Sequence, residues 1–150
     1  MTTVTYTASE GYTFPKSSDL YKITNGITVT RTSDTVVTVS GTPSGVANVT
    51  IPDAIPVYTV TYKVVNGTWS DDSTTNKTET VQSGSKPAAV PTGMKAASGY
   101  TGGAWDTDPA DTTITGATTF TYTFTAKPAA TVTKAPEAKT LTYTGSAQAL

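Results

Sequence analysis

Three large aromatic residues, Trp69, Tyr100 and Trp105, are the first side chains in this sequence that could do chemistry. A ring displayed on a surface offers an apolar face for stacking on a sugar, with a polar handle at its rim. A small strand-rich unit has few other large side chains to bury. Tyr100 and Trp105 are therefore expected in a core. Trp69 lies beside a turn, is open to either role, and is the candidate ligand-binding anchor.

Oxygen ligands are densest at Asp106-Thr107-Asp108-Pro109-Ala110-Asp111. Calcium takes about six to eight oxygens, and the glycine and glutamate of a helix-loop-helix calcium loop are missing here. Asp106, Asp108 and Asp111 are accordingly weak metal candidates, set against the commoner use of aspartate to fold turns through its own backbone. Asp71-Asp72 is weaker still, and no metal or cofactor is expected. A lysine amine held against an asparagine carboxamide, with an acid to shuttle the proton, could form an isopeptide crosslink. Lys22 and Lys63 with Asn48 and Asn66 are the conceivable partners, but a lysine on the wet face of a strand is the plainer reading. Glycoside hydrolysis would need two carboxylates roughly 5–10 Å apart. Glu10, Glu79 and Glu137 all fall in or beside segments that read as wet or flexible. The three Asn-X-Thr triplets at 48, 66 and 76 are what chance gives in so threonine-rich a chain.

Composition removes other chemistries. The 150 residues include no histidine and no cysteine. A Cys/His zinc site, a Ser-His-Asp triad and a disulfide therefore all lack their parts. A net charge of -1 with one arginine, Arg31, gives no basic stripe for phosphates, so no nucleic-acid partner is expected. The longest apolar run is Ala88-Ala89-Val90, far short of a membrane helix, and no membrane insertion is expected. Thr2, Thr3 and Val4 after Met1 show no signal-peptide pattern, and the chain reads as a segment of something longer. No enzymatic activity is expected.

The elements that must position these residues follow from threonine. The chain holds 36 of them. A branched Cβ stiffens χ1 and favours the pleated strand. Alternation predicts strands at 4–8, 27–31, 35–39, 48–51, 57–65, 77–82 and 118–126, divided by turn formers such as Asn25-Gly26, Ser40 to Gly45 and Asn66-Gly67. Residues 118–126 are expected as a half-buried antiparallel strand, with Phe120, Tyr122 and Phe124 inward. The expected core of the first unit is Tyr6, Tyr12, Phe14, Ile27, Val29, Val37, Val39, Val49 and Ile51. Residues 88–97 alone suggest a helix, cut to about one turn by Pro91 and Gly93. Pro52 and Pro56 bracket a joint, and Lys127 to Pro136 is a Pro/Ala/Thr linker. The fold class is all-β with at most one short helix, in tandem small modules. These are 1–56, 57–126, and 127–150 as a linker with the first strand of a further module.

Order and spacing within 57–126 resemble the Listeria–Bacteroides repeat, or internalin-B-type B repeat, of bacterial surface proteins. The resemblance rests on the opening YTVTYKVVNG, the Pro-containing KPAAVPTG, then GYTGGAWDT, and the closing ITGATTFTYTF. The chain departs from that pattern in its Ala-rich 88–97 and in Gly102-Gly103 before Trp105. GYTFP, ITVTRT and VTIPDA in residues 1–56 look more loosely like Ig-like repeats of Gram-positive surface proteins, and KAPEAKTLTYTGSAQAL resembles the first strand of another.

The resemblance implies an Ig-like module followed by a β-grasp-like one, on a bacterial cell surface. The expected role is a non-catalytic stalk or spacer whose partners are the neighbouring repeats. The alternatives are an adhesin module that binds glycan or host protein, or a fibre subunit that assembles by strand addition through 140–144.

Overall fold

Side chains that alternate between β-branched polar and apolar types can satisfy a sheet with one wet face, and the longer strands of this chain are built this way. The computed structural model describes residues 2–45, 48–131 and 145. The described chain is all-β, its only helical pieces being 3₁₀ turns at Ser18–Leu20 and Pro109–Asp111.

The N-terminal sheet contains β1 (Thr2–Thr7), β3 (Ile23–Thr24), β4 (Ile27–Arg31) and β5 (Val36–Gly41), ordered β1-β5-β4-β3. Its pairs are antiparallel. Asn25 and Gly26 join β3 to β4 with φ of 47° and 79°. Positive φ at both residues is what a tight two-residue hairpin turn demands. Phe14, Val29 and Val37 form the buried core, with Val39, Val49 and Ile51 packed against it.

Tyr6 and Tyr12, expected in this core, are instead exposed at 44% and 42%. Tyr6 stands opposite Val37 in the β1–β5 register, so it shares the core face, but on an edge strand that the covering loops do not reach. Residues 48–51 form no strand. The place beside β4 is taken by β3 through the Asn-Gly hairpin, which leaves Val49 and Ile51 only side-chain packing.

The C-terminal sheet is built on β6 (Ile55–Val65), with β8 (Lys77–Gln82), β10 (Tyr100–Trp105) and β11 (Thr118–Ala126). β8 pairs antiparallel with β6, and β10 antiparallel with β11. β11 lies beside β6 in parallel register, from Thr118 opposite Val60 to Thr123 opposite Val65. The strand expected as purely antiparallel therefore has one parallel neighbour. A parallel pair needs a long crossover, here residues 66–117, and the alternation within a strand says nothing about its neighbour's direction. Val60, Tyr62, Val81 and Phe120 point into the core with Trp69 and Ile114. The other face carries Thr59, Thr61, Thr78, Thr80, Thr119, Thr121, Thr123 and Thr125, all exposed or half-buried.

Two features of the crossover depart from expectation. Residues 88–97 are not helical. Pro87 and Pro91 break the run, Gly93 turns with φ 72°, and the N–H groups of Ala88 and Ala89 donate to the Glu79 carboxylate. Strand β10 was hidden by Gly102-Gly103. A register shift falls between Thr101 and Ala104, and Gly102 takes φ 54°. A Cβ on Gly103 would lie 2.4 Å from the Tyr122 ring. The glycine pair thus makes a bulge on which an aromatic ring rests.

The two sheets meet through β2 (Tyr12–Thr13), which pairs with Ile55 and Pro56 at the start of β6. Val57 N–H donates to Gly11 O at 2.9 Å. Gln82 Nε2 adds bonds to Thr13 Oγ1 at 2.7 Å and Phe14 O at 3.1 Å. Pro56, expected to close the joint between modules, is the second residue of β6. The linker beyond 131 and the strand expected at 140–144 lie outside the described residues.

Candidate functional site

Trp69 is the core residue of the C-terminal sheet. The short strand β7 (Gly67–Thr68) pairs with β9 (Lys95–Ala96) and carries the chain back across the core face. A Cβ at Gly67 would lie 2.3 Å from Lys95 O and 2.4 Å from the Phe124 ring, so only glycine allows this approach. The indole that follows is 0% exposed. Its Nε1 donates to Thr75 O at 2.7 Å, which satisfies its polar edge. The candidate anchor is therefore unavailable to a ligand, and the turn beside it is what folds it inward. Trp105 is the less buried of the pair: it is half-buried, 5.2 Å from Tyr122 and 5.8 Å from Tyr62, edge-on to both. Tyr100 is also half-buried.

Glu79, read from sequence as lying in a wet segment, is half-buried and bridges sheet and crossover. Its Oε1 accepts a short hydrogen bond from Tyr62 Oη. Its Oε2 accepts from Ala88 N at 3.3 Å and Ala89 N at 3.1 Å. One carboxylate thus fixes a core phenol and pins the proline-bracketed loop. A signal was present: in Lys77-Thr78-Glu79-Thr80-Val81 the period of two puts Glu79 on the face of Val81.

Burial first, then the bond to Glu79, pushes the Tyr62 phenol above its ordinary range. The folded state thus holds a proton that the unfolded chain gives up near pH 10. Stability from this group is intact below that pH and falls as pH rises through and beyond it. We expect the urea midpoint to drop between pH 9.5 and 11, and Tyr62→Phe to flatten the drop. An equally steep fall in the variant would show that another group is responsible.

The three metal candidates have separate tasks. Asp106 Oδ1 accepts from Thr107 N at 2.8 Å and Thr121 N at 3.0 Å, which ties the end of β10 to β11. Asp108 Oδ1 accepts from Ala110 N at 2.9 Å and caps the 3₁₀ turn. Asp111 Oδ1 pairs with Lys86 Nζ at 3.0 Å. Among the described residues no three acidic side chains are grouped to hold a metal ion. Asp71 shapes the tip of the Trp69 turn. Lys77 Nζ at 2.7 Å and then the Ser73 hydroxyl and N–H hold its carboxyl well below the usual range.

Of the crosslink candidates, Lys63 is exposed on the threonine face. Asn66 is committed elsewhere: with φ 61°, it donates from Nδ2 to Phe124 O at 3.2 Å. Lys22 and Asn48 are both exposed and line one shallow groove with Asp19, an open setting that gives no buried acid. Glu10 is exposed, and Glu137 lies outside the described residues. A second groove, between the sheets, is lined by Thr13, Lys16, Glu79, Gln82 and Lys86 and has a volume of about 180 Å³. Two wider grooves, of about 320 Å³ beside Tyr62, Trp69 and Pro91 and about 340 Å³ beside Tyr21, Val29 and Arg31, reach only the lower end of the roughly 300–1,000 Å³ usual for small organic ligands.

No family model, curated protein or solved structure matches this chain.

Proposed function

We propose that the chain is a non-catalytic stalk or spacer segment of a multidomain bacterial cell-surface protein. In this reading it comprises modules 1–56 and 57–126, followed by 127–150 as the lead into a further one. The observation that carries the reading is β6. Its first two residues pair with β2 of the N-terminal module, and the strand runs on as the middle of the C-terminal sheet. Two modules coupled by that short strand pair and by the Gln82 bonds to Thr13 and Phe14 hold their separation better than a flexible linker would. The hydrated threonine face offers little charge to attract a partner. The finer fold reading is supported too. Three phrases that carry the B-repeat resemblance coincide with β6, β10 and β11, and the first and last strands lie parallel at the centre, as in a β-grasp-like sheet.

The adhesin reading lost its anchor when Trp69 proved buried. Strand addition has a specific observation in its favour: all six residues of β1 are exposed, and among the described strands β1 pairs only with β5. An edge so open is a template for another strand. One experiment separates the three readings. The purified chain is applied to a glycan and extracellular-matrix panel while sedimentation is followed over the same concentration range. A monomer with no saturable binding is expected. A saturable ligand would replace the spacer with an adhesin, and concentration-dependent assembly lost on deleting 127–150 would replace it with a fibre subunit.

A further inference from the structure

We infer that residues 55–126 are a mechanical clamp, in which tension along the chain is carried in shear by the parallel β6–β11 pair. This rests on the spacer reading for its biological sense and adds a property to it: the segment resists being pulled open as well as setting a distance.

β6 is where the chain enters this sheet and β11 is where it leaves, and the two are adjacent and parallel. Because they are parallel, the entry point of one and the exit point of the other are at opposite ends of the pair. Tension applied through the chain slides the strands along each other and loads every rung from Val60–Thr118 to Val65–Thr123 at once. Were they antiparallel, entry and exit would share an end, and rungs would break singly.

Three further features support the clamp. Neither strand is an edge, since β8 flanks β6 and β10 flanks β11. The rungs are backed on the core face by Val60, Tyr62 and Phe120, all at most 2% exposed, with the Tyr62 and Phe120 rings stacked at 6.0 Å. Water therefore reaches these backbone bonds from the threonine face only. Beyond the last rung, the Asn66 side chain donates to Phe124 O and extends the pairing. By contrast, the contact between β2 and β6 has only two register pairs, so the joint between the sheets yields before the clamp.

The register also sets the length released. Thr123 is beside Val65, so Lys127 is level with a point four residues past Val65. At roughly 3.3 Å per residue the folded span from Asp53 to Lys127 is about 50 Å. The same residues fully extended reach about 250 Å. Rupture should release roughly 200 Å in one step.

The test is single-molecule pulling on the full chain, whose lack of cysteine allows handles at chosen points only. Asp53→Cys with Lys127→Cys loads the pair in shear. Val65→Cys with Lys127→Cys peels it from one end, and Asp53→Cys with Ala117→Cys peels it from the other. All four positions are exposed, and unchanged melting midpoints check each variant. The expected result is a rupture force several-fold higher in shear than in either peeling geometry at equal loading rate. Equal forces, or release in shear as a series of small steps, would overturn the clamp and leave a spacer that bears no special load. A ligand found on the panel would remove the spacer reading and leave the force comparison intact.

Discussion

Replacing Trp69 with alanine is expected to cost the C-terminal sheet about 3–5 kcal/mol, the range for removing a fully buried tryptophan or phenylalanine. The ring is 0% exposed and contacts the cluster of Val60, Tyr62, Val81, Ile114 and Phe120. Deletion opens a cavity at the centre of that cluster and leaves the carbonyl of Thr75 without its indole donor. Small domains are stable by about 5–15 kcal/mol in total, and a unit of this size belongs near the lower end, so the variant should be largely unfolded under mild denaturant. Urea titration followed by circular dichroism measures the loss, with Trp105 left as a fluorescent reporter. Trp105→Ala should cost less because its ring is already half-solvated. A cost below about 1 kcal/mol for Trp69→Ala, by the cavity argument, would mean that the indole is not the centre of the core.

That result bears on what the sequence could show. Strands β4, β8 and β11 were readable to the residue, because Ile27–Arg31, Lys77–Gln82 and Thr118–Ala126 alternate without interruption. β6 differed only in starting at Ile55, since Pro56 reads as a breaker, whereas a strand tolerates proline where that N–H is not needed. Which tryptophan is buried was not readable. Trp69 stands between turn formers, which leaves it open to either role, and the turn closes through Ser73 O and Thr75 O and rotates the indole inward. β10 escaped because Gly102 and Gly103 carry no strand signal, and their role depends on Tyr122, about twenty residues away. Asp108 was legible as a turn maker, whereas the bonds of Asp106 to Thr121 and of Asp111 to Lys86 join residues distant in sequence. That Glu79 would serve both Tyr62 and the 88–89 loop required knowing that the loop crosses over it, which is tertiary information.

The N-terminal sheet depends on a backbone position rather than a large side chain, and Gly41→Ala should disrupt it. Gly41 closes two pairings at once, standing opposite Thr2 of β1 and Ile27 of β4. Its φ is 139°, a conformation open almost solely to glycine. A Cβ would lie 2.0 Å from Gly26 O and 3.1 Å from Ile27 Cα, both backbone atoms that cannot turn aside. Overpacking costs about 1–3 kcal/mol and the forced dihedral about as much again. Among the described residues the sheet has only Phe14, Val29 and Val37 buried to set against that, so the expected outcome is its unfolding. Both tryptophans belong to the other sheet. Hydrogen exchange at β4 and β5 should therefore rise to unprotected rates, while the tryptophan urea transition shifts only slightly through loss of the β2–β6 pairs and the Gln82 bonds. If the tryptophan transition instead moved as far as the exchange result implies, the two sheets would be one cooperative body. The joint at β2 would then carry far more of the stability than two register pairs suggest.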